Sequence, residues 1–131
     1  MFNTSAFNFV TSCSLRERGF FQDPYKTFPR AITCWDSLEH IPDPKALVER
    51  VEEAVFVSLP VFNDPLAATR SKHYRPGEHI WYWSERGLEK WFNEMGFDLA
   101  EKNDDETRIG REGIMSFAFL RRGKKPSLDK K

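Results

Sequence analysis

With 131 residues, 20 basic and 20 acidic side chains and 40% hydrophobic residues, the sequence has room for one buried core and is too apolar for a disordered chain. Its formal net charge of +0 supplies no overall field to draw in nucleic acid or an acidic membrane. No stretch reaches the ~18 consecutive apolar residues of a membrane span, and the start "MFNTSAFNFVTSCSL" lacks the basic residues and unbroken apolar core of a secretory signal.

Residues 1–30, rich in Phe, Asn, Ser and Thr, show little periodicity and read as mixed structure. The β-branched, apolar "RAITCW" (30–35) predicts a short buried strand bounded by Pro29 and Asp36. In "DPKALVERVEEA" (43–54), Leu47, Val48 and Val51 have helical spacing, Asp43 suits the cap and Pro44 the first turn. The apolar run "AVFVSLPVF" (54–62) predicts a second strand, and strand–helix–strand in that order predicts a crossover and a parallel pair. Residues 63–83 break the pattern in a loop long enough to cover or build a site. "SERGLEKWFNEMGF" (84–97) restores helical order: Ser84 caps, Leu88, Trp91, Phe92 and Met95 form the stripe, and Gly96 stops it. "FDLAEKN" and "GIMSFAFLRR" predict two strands paired as a hairpin across 104–112, and "RRGKKPSLDKK" ends the chain as a basic, flexible tail from residue 122. Neither a repeat nor an internal linker divides the chain, so 1–131 is expected to be a single domain. Two cysteines, Cys13 and Cys34, make neither a disulfide framework nor a paired metal motif, which points to a reducing, cytoplasmic setting.

The turn after the first strand, "CWDSLEHIPDP", holds the most chemistry. On a helix, Asp36, Glu39 and His40 share one face, and two carboxylates with an imidazole suit a divalent cation, the harder Mg²⁺ or Mn²⁺ before softer ions. The loop adds His79 beside Glu78 in "PGEHIWYW", and His73 in "SKHYRP". A plainer reading of the same turn has Asp36 capping it, Glu39 solvated and His40 bonded to a backbone carbonyl. Ligands of open α/β sheets bind beyond the carboxyl ends of strands, where this turn lies. Trp81, Tyr82 and Trp83 suit either an apolar wall against a substrate or ordinary core. Arg108 and Arg111 read as solvated charges that a phosphate-bearing substrate could use.

"ITCWDSLEHIPDP" followed by "VFVSLPVFN" resembles the fourth- and fifth-strand region of class I S-adenosylmethionine-dependent methyltransferases, the ubiquinone-biosynthesis O-methyltransferases and small-RNA 2′-O-methyltransferases most closely. "GEHIWYWSERGLEKWFNEMGF" is similar in order to their histidine, aromatic pair, Ser/Thr-Arg-x-x-Leu and Gly-Phe elements, so the resemblance spans roughly residues 31–121. It implies an α/β, Rossmann-like and mostly parallel sheet with an antiparallel C-terminal strand. It further implies a cation at Asp36, Glu39, His40 and His79, with His40 and His79 catalytic. S-adenosylmethionine would lie by Asp23, Cys34, Trp35 and Asp36, although Asp23 equally suits a turn before Pro24. His73, Trp81 and Trp83 would face a small-molecule or nucleic-acid-terminal hydroxyl. The seven glycines, at 19, 77, 87, 96, 110, 113 and 123, include no Gly-x-Gly pair. A methyltransferase domain truncated on its N-terminal side is therefore expected, with a homodimer or partner chain completing the sheet. Two rival readings are a non-catalytic interaction module derived from such a domain and a metal-dependent hydrolase.

Overall fold

The computed structural model describes residues 23–123. The mixed structure expected before residue 23, Cys13 within it, and the tail beyond residue 123 lie outside the described residues. Four strands form one sheet: β1 (Ala31–Trp35), β2 (Ala54–Pro60), β3 (Phe97–Asn103) and β4 (Ile114–Arg121). Their order across the sheet is β1-β2-β4-β3. β1 runs parallel to β2, whereas β4 lies antiparallel between β2 and β3. β3 therefore points the same way as β1 and β2, and the expected arrangement, mostly parallel with an antiparallel C-terminal strand, is the one observed.

Alternation sorts the sheet into two faces. Ile32, Cys34, Val55, Val57, Leu59, Phe117 and Phe119 turn to one face and are buried there. The helix α1 (Pro44–Val48) contributes Leu47 and Val48 to this core, and α3 (Glu85–Glu94) contributes Leu88 and Phe92. Phe92 stacks flat on Phe119 with ring centroids 3.8 Å apart, and Phe97 meets Phe92 edge-on. Both predicted caps are made: the Asp43 carboxylate accepts from the Ala46 N–H, and the Ser84 hydroxyl accepts from the Gly87 N–H. Gly96, at φ 93°, ends α3 in the left-handed conformation that favours glycine.

α1 is shorter than its periodicity predicts, ending at Val48 rather than running to residue 54. Competition from elsewhere in the chain ends it. The N–H groups of Glu52, Glu53 and Ala54 donate to the carbonyls of Pro29 and Arg30, drawing the chain out of the helix and into β2, which starts at Ala54. The Arg121 guanidinium then takes the carbonyls of Glu49 and Val51, at 3.0 and 2.7 Å, and reaches the Met95 carbonyl at the end of α3. It also lies 4.4 Å over the Phe97 ring. One side chain of the last strand thus ties together both helix C-termini. Arg122 belongs with it: its N–H donates to the Gly96 carbonyl, and its side chain bonds Asp98 and the Asn93 carbonyl.

The long segment after β2 holds one short helix, α2 (Pro65–Ala68), capped by Asp64. The β3–β4 connection likewise holds α4 (Asp105–Arg108). No helix among the described residues is long and apolar enough to cross a membrane.

Candidate functional site

The site forms where β1 and β2 end. Asp36 leaves β1 at φ 49°, a left-handed conformation that is rare outside glycine but tolerated by Asp. Its N–H is held by the Ser58 carbonyl of β2 at 2.9 Å. A single 3₁₀ turn, Leu38–His40, follows. Asp36 therefore lies outside any helix, and the common face that helical spacing predicted for Asp36, Glu39 and His40 does not form. Glu39 and His40 keep their ligand atoms within 4.8 Å of each other, and Asp36 lines the same cavity outside that group. Leu38 is completely buried in the core and pulls Glu39 in behind it, to 2% exposure.

The loop then folds back onto this turn. "RPGEH" supplies the hinge: Pro76 and Gly77, at φ 94°, occupy the central positions of a turn closed by the Glu78 N–H on the Arg75 carbonyl at 3.0 Å, as a type II turn requires. The N–H groups of Ile80 and Trp81 both donate to the Glu39 carbonyl, at 2.8 and 3.1 Å, and the Trp81 indole N–H donates to the Ile41 carbonyl at 2.8 Å. These bonds carry His79 to His40, with ring centroids 4.7 Å apart.

Glu39, His40 and His79 each offer one ligand atom, all lying within 4.8 Å of one another. His40 Nδ1 is 2.6 Å from the Glu78 carbonyl oxygen, and His79 Nδ1 is 2.7 Å from that of His73. A carbonyl oxygen can only accept, so each Nδ1 carries the proton and each Nε2 keeps its lone pair. Histidines that bind metals are commonly oriented by such bonds. Burial and the neighbouring His40 lower the His79 pKa, which favours the neutral, ligating ring. Burial pushes the Glu39 carboxyl up to about 7, and its Oε1 is buried without a hydrogen-bonding partner. An orphaned buried carboxylate oxygen is costly alone and is satisfied by a cation. The donor set thus fits a divalent ion.

These residues border an open cavity of about 270 Å³, whose wall includes Asp36, His73, Arg75 and Arg111. Asp36 Oδ2 is 2.6 Å from Arg111 Nη2, and Arg111 Nη1 reaches Glu106 at 3.1 Å. His73 sits against the start of β4, with Nε2 2.7 Å from the Glu112 carbonyl. A Cβ at Gly113 would lie 3.2 Å from this ring, so glycine permits the close approach.

The remaining expected site residues are more scattered. Asp23 closes a turn, accepting from the N–H groups of Tyr25, Lys26 and Thr27, the alternative its Pro24 neighbour suggested. Cys34 is buried in the core face, whereas Trp35 is half-exposed on the opposite face. Trp83 is buried between Trp81 and Trp91, at 5.7 and 5.1 Å, which is the core reading of that aromatic run. Trp81 and Tyr82 stay half-exposed. Arg108, the last residue of α4, pairs with the N-cap residue Asp104 of the same helix.

The sequence reading did not find Arg111 as the partner of Asp36, nor the Glu78 and His73 carbonyls as braces. The one local signal was "GREG", an arginine between two glycines beside the last strand. Gly110 and Gly113, at φ 106° and 85°, turn the chain sharply there.

Residues 7–102 match the family model of the methyltransferase domain. Among solved structures, the complex between the Haloferax volcanii Trm112 methyltransferase activator and a methyltransferase aligns with TM-score 0.58 at 9% identity, covering 81% of this chain and 60% of that one. A Bacillus halodurans C-125 structure described as a methyltransferase gives TM-score 0.54 at 13% identity, covering 95% and 81%. The magnesium protoporphyrin IX methyltransferase of Synechocystis PCC 6803 with bound SAH gives 0.52 at 16% identity, covering 77% and 49%. Such identities show a shared fold alone, and this chain spans about half the length of the Synechocystis structure. No curated protein matched the sequence.

Proposed function

This chain belongs to the methyltransferase-domain family, and from that premise we propose that it serves methyl transfer from S-adenosylmethionine to a substrate oxygen, assisted by a divalent cation at Glu39, His40 and His79. The observation that carries the reading is the pair of histidines locked by backbone carbonyls, facing a buried carboxylate with one oxygen unpartnered. A cation bound there supplies a Lewis acid that lowers the pKa of a substrate hydroxyl and fixes its orientation.

The chain's own residues do the positioning on which such a displacement depends. The Glu78 and His73 carbonyls set both imidazole tautomers. The Glu39 carbonyl fastens the loop over the turn, and the Trp81 indole N–H adds a second tie to the Ile41 carbonyl. Asp36 and Trp35, at the carboxyl end of β1, stand where a ligand of an open sheet lies, and in this reading they border the methyl donor. Without a Gly-x-Gly pair, the described residues supply one side of such a donor site. His73, holding His79 through its carbonyl, stands beside the substrate. The acceptor is a small-molecule or nucleic-acid-terminal hydroxyl, and the setting is cytoplasmic.

Calorimetric titration of the chain with S-adenosylmethionine and its demethylated product, with and without Mg²⁺ or Mn²⁺, tests this reading. Saturable binding that the cation strengthens supports it. A folded sample that binds neither compound at millimolar concentration overturns methyl transfer by this chain on its own.

One observation favours a second reading, a module that docks to another chain. The β1, β2 and β4 registers put Trp35, Phe56 and Leu120 on the face opposite the core, exposed by 38%, 37% and 48%. Light scattering after size exclusion separates the cases: a monomer argues against self-association through this face, and a dimer favours it.

A further inference from the structure

We propose that Arg111 is a competitor built into the site: it holds the Asp36 carboxylate away from the Glu39–His40–His79 centre, and a divalent cation gains a fourth protein ligand by taking that carboxylate over. The inference rests on the cation reading above and concerns how the centre is loaded.

Three protein ligands leave the centre short of the roughly six that Mg²⁺ or Mn²⁺ takes. Asp36 lines the same cavity and sits on the same turn, yet its Oδ2 is engaged by Arg111 Nη2 at 2.6 Å, across 75 residues of chain. The Asp36 N–H is fixed by the Ser58 carbonyl at 2.9 Å, which holds the backbone at the strand end independently of the carboxylate's partner. Arg111 is anchored independently of Asp36: Nη1 bonds Glu106 at 3.1 Å, and its N–H donates to the Glu106 carbonyl at 2.8 Å. It therefore keeps a carboxylate partner when Asp36 leaves. The pair is also accessible, its side chains 46% and 42% exposed, so water lowers the cost of exchange. Glu78, another acid of the cavity wall, pairs with Arg75 at 3.3 Å and gives its backbone carbonyl to His40. Asp36 is thus the carboxylate whose engagement decides how complete the shell becomes.

Calorimetric titration of the full chain with Mn²⁺ alone tests this. Arg111→Met should tighten Mn²⁺ binding by about twofold to fivefold, the scale of one exposed ion pair. Asp36→Asn should weaken it, and adding Arg111→Met to Asp36→Asn should then change nothing further. Arg75→Met removes an equal charge from the cavity wall without touching Asp36, and should have a smaller effect. Arg111→Gln replaces Arg111→Met should the latter fail to fold. Unchanged or weaker binding by a folded Arg111 variant overturns the proposal and leaves the cation reading standing. Equal tightening in the Asp36→Asn background also overturns it, because bulk charge would then be the cause. A wild-type chain that binds no Mn²⁺ overturns both.

Discussion

The helix–hairpin unit of α3, β3 and β4 and the loop of residues 63–83 are opposites in how they are held. The first is fixed by repeated local contacts: a capped helix, an apolar stripe at helical spacing and a hairpin that pairs its own neighbours. The second is held chiefly by hydrogen bonds to distant backbone, at Glu39 and Ile41, together with packing of Trp83. The helix–hairpin unit should therefore dominate stability, whereas the loop and the turn beneath it should dominate ligand binding. Substitutions that separate the two properties test this division.

The largest effect is expected at Phe92, buried and stacked on Phe119. Phe92→Ala should lower unfolding free energy by about 4 kcal/mol in a urea titration, through lost burial and a cavity. If Mn²⁺ affinity, measured where the variant is still folded, falls as steeply, the two regions are not separable.

Arg121→Ala comes next, at about 3 kcal/mol, because it strips the carbonyls of Glu49, Val51 and Met95 of a charged donor. Burial lowers the pKa of this arginine, and its hydrogen bonds keep it in place. Thermal melts of Arg121→Ala and Arg121→Lys give the check, and lysine should recover only part of the loss, since it lacks the planar fork.

How much of this was legible follows the same division. The strands, the helix 84–96, both caps and the antiparallel last strand could be read because period, cap and stop all coincide within a few residues. α1 was read too long because Arg121 lies 70 and 72 residues from the Val51 and Glu49 carbonyls it binds at the helix end. The Glu39–His40–His79 grouping was visible through the resemblance, which named the residue types in order. What joins them was not visible: the braces are backbone carbonyls, which every residue possesses, so no side-chain pattern marks them. The helical face assumed for Asp36 fails for a related reason. Spacing assumes a helix, and a left-handed residue at the strand end breaks that assumption.

In the site, the cation-free protein should lose stability as pH rises from about 4.5 to about 7, because folded Glu39 keeps a proton that the unfolded chain releases. The loss should reach about 3 kcal/mol above that window. Glu39→Gln should flatten this slope in melts recorded with chelator. An equal slope in that variant would assign the pH dependence elsewhere. The smallest effect belongs to Trp81→Phe, which removes the bond to the Ile41 carbonyl and should cost about 1 kcal/mol. Hydrogen exchange should show the loss confined to the loop, with α3 and the hairpin unchanged.

The central claim, that Glu39, His40 and His79 form a cation centre, is tested most directly by electron paramagnetic resonance titration of Mn²⁺ into wild type and His79→Ala. The expected result is one saturable site in the wild type and at least a roughly hundredfold loss in His79→Ala, the upper range for loss of a metal-site partner, with α3 and the sheet still folded. Equal, weak binding by both proteins would contradict it.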